Sequence, residues 1–169
     1  GKLLRNMGAG EFALVASAAL AQDSDREDMG AVFVDVDSDG DLDLYVVSGG
    51  VECDPGDASL RDRLYLNDGS GEFSASASDM VPDLRDSGSV VTASDFDTDG
   101  DLDLFVGGRV IPGSYPMSAQ SRILRNDGGR FTDVSDEVAP GLRESGLVTS
   151  ALWTDATGDG QQDLMVTYE

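Results

Sequence analysis

Three acidic loops of one design recur along this chain, and they constrain its fold more than any other feature. They begin at Asp35, Asp95 and Asp155, so that each loop follows the one before it by 60 residues. The first two read Asp-x-Asp-x-Asp-Gly-Asp-Leu-Asp, and the third keeps the Gly and three of the acids. A motif that returns at a fixed interval indicates a series of similar folding units. We therefore expect a repeat protein.

The spacing of the acids within each loop is typical of Ca²⁺ binding. Oxygen ligands at positions 1, 3, 5 and 9, with a backbone carbonyl at position 7, suit a hard cation, and Gly at position 6 allows the sharp turn. Without a cation, each pair of carboxylates about 4 Å apart would repel by roughly 4 kcal/mol. We predict about three Ca²⁺ per chain. The predicted ligand residues are Asp35, Asp37, Asp39, Asp41, Asp43, Asp95, Asp97, Asp99, Asp101, Asp103, Asp155, Thr157, Asp159, Gln161 and Asp163.

The third loop departs from the pattern, because Thr157 replaces a carboxylate and Gln161 fills the seventh position. We expect this loop to bind its cation more loosely than the other two. A single loop of this kind could be an ordinary polar Asp-Gly turn, but three in register favour metal. Zinc and redox metals are poor candidates, since the chain has no His and only one Cys, Cys53.

Short segments rich in branched and aromatic residues follow each loop, at 42–47, 102–106 and 164–168. Such segments, bounded by glycines, are typical of β-strands. An EF-hand would instead need flanking helices and a Glu at the twelfth position, where all three loops have Val. The flanking sequence therefore indicates a β context for the loops.

A second pair of strands is predicted in each unit, joined by the turns at 67–69 and 126–128, which both read Asn-Asp-Gly, and by a variant turn after Asn6. Four antiparallel strands per unit form a propeller blade. The sequence thus predicts an all-β fold with about three blades per chain. The predicted divisions are a C-terminal half-blade at 1–28, blades with calcium loops at 29–84 and 85–141, and an N-terminal half-blade with a calcium loop at 142–169.

With these loops and turns, the chain resembles the FG-GAP or VCBS repeat proteins, which include the integrin α-subunit propeller and many bacterial secreted proteins. The resemblance implies a β-propeller with Ca²⁺ in the turn between the first two strands of a blade. It also implies an extracellular, periplasmic or cell-surface location. The Phe-Gly and Gly-Ala-Pro signatures of the integrin version are absent, so integrin-like ligand recognition is not implied.

The composition of the chain disfavours several classes of partner and of activity. The net charge of −22 disfavours nucleic acid and anionic membranes as partners, and no apolar run is long enough for membrane insertion. Without His, an activated Cys or a Gly-rich phosphate loop, no catalytic group is evident. We predict a non-enzymatic binding, adhesion or scaffolding module with a protein or glycan ligand. The alternative is a carbohydrate-active propeller, similar to the lectins or polysaccharide lyases to which the family resemblance extends.

The predicted half-blades at the two ends add up to one blade, which makes three in all. Propellers typically have four to eight blades, and a closed ring of three would leave no channel. We favour a two-fold homodimer with six blades, in which the strand pair at 142–169 of one copy completes a blade with the strand pair at 1–28 of the other. The other interpretation is a fragment of a longer propeller.

Overall fold

The computed structural model describes residues 1–169 and contains twelve β-strands, two short α-helices and one 3₁₀ turn. None of the helices has the length and apolar character that crossing a membrane would require. The strands are β1 Leu3–Gly8, β2 Glu11–Val15, β3 Glu27–Val34, β4 Asp43–Gly49, β5 Arg63–Asn67, β6 Phe73–Ala75, β7 Gly88–Ser94, β8 Asp103–Gly108, β9 Arg122–Asn126, β10 Phe131–Asp133, β11 Val148–Thr154 and β12 Asp163–Tyr168. The helices are α1 Ala18–Gln22 and α2 Ser135–Val138, and the 3₁₀ turn is Ala58–Leu60.

The strands form four antiparallel sheets in chain order. We call them the N-terminal sheet (β1–β2), the second sheet (β3–β6), the third sheet (β7–β10) and the C-terminal sheet (β11–β12). The two middle sheets have four strands each and the outer two have two strands each. The predicted all-β, antiparallel architecture is confirmed. The chain does not close its sheets into a ring, and the number of blades and the boundaries between them stay predictions.

The 60-residue repeat is visible in the strand pairing as well as in the loops. In each sheet that carries an acidic loop, the first strand shifts its register by one residue against the second strand. The extra residue lies at 29, 89 and 149. Such a bulge increases the local twist of a strand, so the three units share a twist as well as a sequence.

The main core lies between the second and third sheets, where β7 packs against β3 and β4. Tyr45 and Leu64 enter it from the second sheet, and Leu104 and Leu124 enter it from the third. The ring of Tyr45 meets that of Phe131 edge-on at 6.0 Å between centroids. Each of these fully buried side chains contributes about 1.5–3 kcal/mol to folding, so this interface holds the two middle sheets face to face.

A second core lies between the third sheet and the C-terminal sheet. Phe105 and Ile123 project from the third sheet and meet Val148 at the start of β11. Trp153 on β11 stacks on Phe96 with 6.4 Å between ring centroids and an angle of 11°. The acidic loops of these two sheets are therefore held on packed strands.

Candidate metal sites in the acidic loops

Each acidic loop connects the first two strands of its sheet: β3 to β4 (first loop, 35–43), β7 to β8 (second loop, 95–103) and β11 to β12 (third loop, 155–163). The glycine at position 6 has φ of 93° in Gly40, 102° in Gly100 and 87° in Gly160. A residue with a Cβ rarely adopts this conformation. The predicted need for Gly at position 6 is confirmed in all three loops.

Position 4 shows a feature that the sequence pattern did not reveal. Ser38 and Thr98 have φ of 60° and 63°, and the third loop has Gly158 there with φ 76°. The left-handed conformation costs a residue with a Cβ roughly 1–2 kcal/mol. The first two loops therefore carry backbone strain that glycine relieves in the third.

The aspartate at position 1 holds the turn together by accepting hydrogen bonds from the backbone. Asp35 Oδ1 accepts from the Asp39 N–H at 3.2 Å, and Asp35 Oδ2 accepts from the Gly40 N–H at 3.1 Å. Asp95 and Asp155 accept the equivalent bonds. In the third loop these bonds, that from Gly160 N–H foremost, lower the pKa of Asp155. Position 1 thus orders the loop.

Positions 1, 3 and 5 bring their carboxylates together in the first two loops. One oxygen from each of Asp35, Asp37 and Asp39 lies within 4.8 Å of the others, and Asp95, Asp97 and Asp99 form the same group. Oxygens bound to one Ca²⁺ lie 2.3–2.6 Å from it, hence at most about 5 Å from each other. These two groups of hard oxygen donors therefore fit one Ca²⁺ each.

The third loop follows the same backbone path with fewer acids. Asp155 and Asp159 flank Thr157, so that a hydroxyl stands where the other loops have a carboxylate. All three side chains are exposed. The loop offers two carboxylates in place of three, which agrees with the weaker site that we predict there.

The aspartate at position 9 ties each loop to its sheet. Asp43 is 1% exposed and accepts hydrogen bonds from Val36 N–H at 3.0 Å and Asn67 N–H at 2.8 Å. Asp103 makes the equivalent pair of bonds to Phe96 N–H and Asn126 N–H. Burial raises the pKa of Asp103 to about 6 and raises the pKa of Asp43. A carboxylate oxygen that accepts one hydrogen bond keeps a second lone pair, so both remain able to bind a cation.

In the third loop, Asp163 is half-buried and accepts from Ala156 N–H at 2.9 Å and Thr157 N–H at 3.2 Å. Both donors lie within its own loop, whereas Asp43 and Asp103 also reach the turn of a neighbouring strand. The third loop is therefore less firmly joined to its sheet.

Position 7 lies apart from the converging carboxylates. Asp101 Oδ2 accepts from Gly128 N–H at 2.9 Å, and its Oδ1 accepts from the Ser38 hydroxyl at 3.3 Å. Asp41 lies against Gly69, where an added Cβ would be 2.5 Å from its Oδ2. The side chains at this position thus link the loops to the Asn-Asp-Gly turns and to each other. Gln161, at the same place in the third loop, is exposed.

Asn126 joins two sheets, a role that the sequence analysis did not predict. It is fully buried, and its Nδ2 donates to Val36 O in the first loop at 2.8 Å, across the interface between sheets. Its Oδ1 accepts from Gly129 N–H at 2.9 Å within its own turn. The repeat of Asn at 67 and 126 was the available signal, although Asn67 donates to Leu42 O in its own sheet.

Comparisons with known proteins agree with this architecture. Residues 51–106, a range that includes the second loop, match the family model of the FG-GAP-like repeat. The match confirms the family resemblance predicted from the loops and turns. The chain is also similar to cartilage acidic protein 1 from Homo sapiens and from Mus musculus, with 28% identity over 171 residues in each case. These alignments cover 98% of this chain and 24% of each relative, so the chain spans about a quarter of their length.

Proposed function

Because the chain carries an FG-GAP-like repeat, we propose that it is a non-catalytic, extracellular binding or scaffolding module whose acidic loops bind Ca²⁺. The observation that carries the proposal is the pair of three-carboxylate groups, each within 4.8 Å, at the ends of packed strands. The third loop is a weaker site in this proposal. Blades of a propeller are the architecture that we assign to the four-stranded sheets.

Ca²⁺ suits these loops better than Mg²⁺. The donors are carboxylates on a flexible, partly exposed turn, and Asp37 and Asp39 reach into solvent. Mg²⁺ requires near-ideal octahedral geometry at 2.0–2.1 Å and keeps several waters, whereas Ca²⁺ accepts six to eight oxygens in irregular arrangements. A loop that supplies three carboxylates and leaves the other positions to a carbonyl and to water matches the calcium pattern.

The cation would act as a structural brace. It would offset the repulsion among the three carboxylates at the end of each strand pair. The first loop is joined to the third sheet through Asn126 and through the Ser38–Asp101 bond, so an ordered first loop would also steady the interface between the middle sheets. An ion that binds only the folded chain stabilises it by mass action.

An extracellular location supports calcium loading. Extracellular modules bind Ca²⁺ with Kd of about 10⁻⁴ to 10⁻³ M, which suffices where the free ion is abundant. The relatives are named for an acidic cartilage protein, and cartilage is rich in extracellular matrix. Adhesion or scaffolding is the role that we propose for this chain.

Calorimetric titration with Ca²⁺ tests the proposal. Asp37→Asn and Asp97→Asn keep the side-chain shape and remove one charge from each group, so each variant should lose one site and the double variant should lose both strong sites. Asp25→Asn, an exposed acid outside the loops, is the matched control and should bind as the unchanged chain does.

Thermal unfolding supplies a second measurement. Addition of Ca²⁺ should raise Tm in the unchanged chain and in the Asp25→Asn control, and raise it much less in the double variant. No heat of binding, together with an unchanged Tm in excess chelator, would refute the proposal. Lyase turnover on polysaccharides would instead favour the carbohydrate-active alternative.

A further inference from the structure

A cavity of about 170 Å³ lies at the end of the second sheet that is remote from its acidic loop, where β5 begins and β6 ends. Three of the ten arginines of the chain line this cavity, Arg26, Arg61 and Arg63. Every lining residue lies between positions 23 and 81, so neither the first nor the last strand pair contributes to it. The cavity is therefore a feature of the second sheet itself.

The third sheet shows how the same place is filled when the chain supplies its own carboxylate. Arg122 begins β9 as Arg63 begins β5, and Asp133 ends β10 as Ala75 ends β6. The strand register agrees with this correspondence, because Ala75 lies opposite the third residue of β5 and Asp133 lies opposite the third residue of β9. The second sheet thus has a methyl group where the third sheet has a carboxylate.

The two corresponding arginines differ in the partners of their guanidinium groups. Arg122 donates from Nη1 to Asp133 Oδ2 at 2.7 Å, whereas Arg63 Nη1 has only the Tyr65 hydroxyl, at 3.5 Å. Through Nη2, each arginine contacts one further carboxylate, that of Asp86 for Arg122 and that of Asp28 for Arg63. One side of the Arg63 guanidinium therefore lacks the acidic partner that its counterpart has.

A backbone donor beside the arginine differs in the same way. In the third sheet, Ser135 Oγ accepts a hydrogen bond from the Ile123 N–H at 2.9 Å. The residue at the same place after β6 is Ala77, whose side chain offers no acceptor to the N–H of Leu64. Leu64 lines the cavity next to Arg63. A ligand with two oxygens can therefore replace both of the acceptors that the second sheet lacks.

Two carboxyl groups also line the cavity, but both have other partners. Asp23 pairs with Arg26 Nε at 3.2 Å and accepts from the Tyr65 hydroxyl at 2.7 Å. Asp62 is buried and accepts from the Ser48 N–H at 2.9 Å. Three guanidinium groups against two carboxyl groups make the lining positive. Since salt at about 150 mM screens exposed charges beyond about 8 Å, this lining can attract an anion although the chain carries a net charge of −22.

We propose that this cavity binds the carboxylate of a small organic acid, held by Arg63 and the Leu64 N–H in the place that Asp133 occupies beside Arg122. A carboxylate accepts paired N–H donors from arginine, and such charge-assisted hydrogen bonds are about twice as strong as neutral ones. A cavity of about 150 Å³ holds a molecule as large as benzene, so an acid built on one six-membered ring is the expected size. No residue of the acidic loops lines the cavity, so this site is separate from Ca²⁺ binding.

Calorimetric titration with sodium glucuronate, at a constant ionic strength of about 150 mM, tests the proposal. Glucuronate should bind, and glucose, the uncharged control, should not. Ala75→Asp supplies the missing carboxylate from the chain itself and should weaken glucuronate binding at least about tenfold. Ser74→Asp adds the same charge at the preceding position of β6, where the side chain projects to the opposite face of the sheet. This matched control should bind glucuronate as the unchanged chain does.

Thermal unfolding shows whether the variants are folded and gives a second readout. Ala75→Asp should raise Tm, because its carboxylate reproduces the bound state, and glucuronate should then raise Tm no further. In the unchanged chain and in Ser74→Asp, glucuronate should raise Tm by mass action. The absence of glucuronate binding to the unchanged chain, or equal binding by the two variants, would overturn the proposal. Sulfate that displaces glucuronate as effectively as acetate does would overturn the assignment of a carboxylate.

Discussion

The first and third acidic loops share one backbone turn and differ in almost everything around it. Both have an aspartate at position 1 that accepts from the N–H groups of positions 5 and 6, and both have glycine with positive φ at position 6. The first loop has three converging carboxylates and is buttressed by Asn126 from the neighbouring sheet. The third has Thr157 and projects from a two-stranded sheet.

This difference distinguishes the residues that set the backbone turn from the residues that set the number of carboxylates. Positions 1 and 6 keep the same hydrogen bonds and a positive φ in both loops, so the turn is preserved although position 3 differs. Position 3 sets the number of carboxylates, and the neighbouring sheet sets how firmly the loop is held. Metal affinity and loop rigidity can therefore be changed one at a time.

The largest expected effect concerns Asp62, a buried carboxyl outside the loops. Its titration would change the free energy of unfolding over the same pH range as titration of the loop carboxylates, and would hide their contribution. Asp62 is 8% exposed and accepts from the Tyr45 hydroxyl at 3.0 Å and Ser48 N–H at 2.9 Å. Burial raises its pKa from 3.8 to about 7. The folded chain then holds a proton that the unfolded chain releases, so the contribution of Asp62 to stability is fully present below pH ~4 and is lost, by up to about 4 kcal/mol, as the pH rises through ~7.

Asp62→Asn should remove the contribution of Asp62 to the slope in urea unfolding between pH 4.5 and 7, measured in chelator, and leave the smaller contribution from the raised pKa of Asp103. Asp25→Asn should leave it in place. If the slope is undiminished in Asp62→Asn, it arises elsewhere, and the pH dependence of the loops cannot be compared through this variant. Without the contribution of Asp62, the remaining slope and its change on adding Ca²⁺ belong to the loops.

The next effect concerns position 9. Asp43→Ala should cost about 3 kcal/mol, because it leaves the buried N–H of Val36 without a partner. Asp163→Ala should cost only about 1 kcal/mol, since its N–H donors are exposed and can turn to water. Urea unfolding with an unchanged m-value measures both. Equal losses would show that the two loops are anchored alike.

A smaller effect is expected from the hydrogen bond between Asn126 and the first loop. Asn126→Ala removes the buried bond to Val36 O and should cost about 2 kcal/mol, compared with about 1 kcal/mol for Asn67→Ala, whose donated bond is exposed. Hydrogen exchange should quicken at 36–40 in the first variant and stay unchanged at 156–160. Equal exchange at 36–40 in Asn126→Ala and in the unchanged chain would mean that the neighbouring sheet does not hold the first loop.

The sequence predicted the parts of this structure that repeat locally. The loops, the strands beside them and the glycine at position 6 follow from short-range spacing, which requires no knowledge of the tertiary fold. The strain at Ser38 was not predictable, because serine gives no signal of a positive φ. The bond from Asn126 to Val36 joins residues 90 positions apart, and only the packing of two sheets brings them together.

The side chains at position 7 illustrate the same limit. The sequence assigned position 7 a backbone carbonyl as ligand, but nothing in it showed where the side chains of Asp41 and Asp101 lie. In the structure they bond or abut the neighbouring turns instead of joining the converging group. Their direction depends on where the Asn-Asp-Gly turns lie, and that is a property of the assembled sheet.

The smallest effect provides the sharpest test of the comparison, because it exchanges position 3 between the two loops. Thr157→Asp gives the third loop a third carboxylate and should tighten its Ca²⁺ binding about tenfold, which corresponds to about 1.4 kcal/mol. Asp37→Thr should weaken the first loop by a similar factor. If charge alone sets affinity, calorimetry will find equal and opposite changes. A smaller gain in the third loop would show that rigidity also contributes, since that loop has no counterpart of Asn126 to hold the new ligand in place. No gain at all would mean that the shared turn is not a sufficient frame for a metal site.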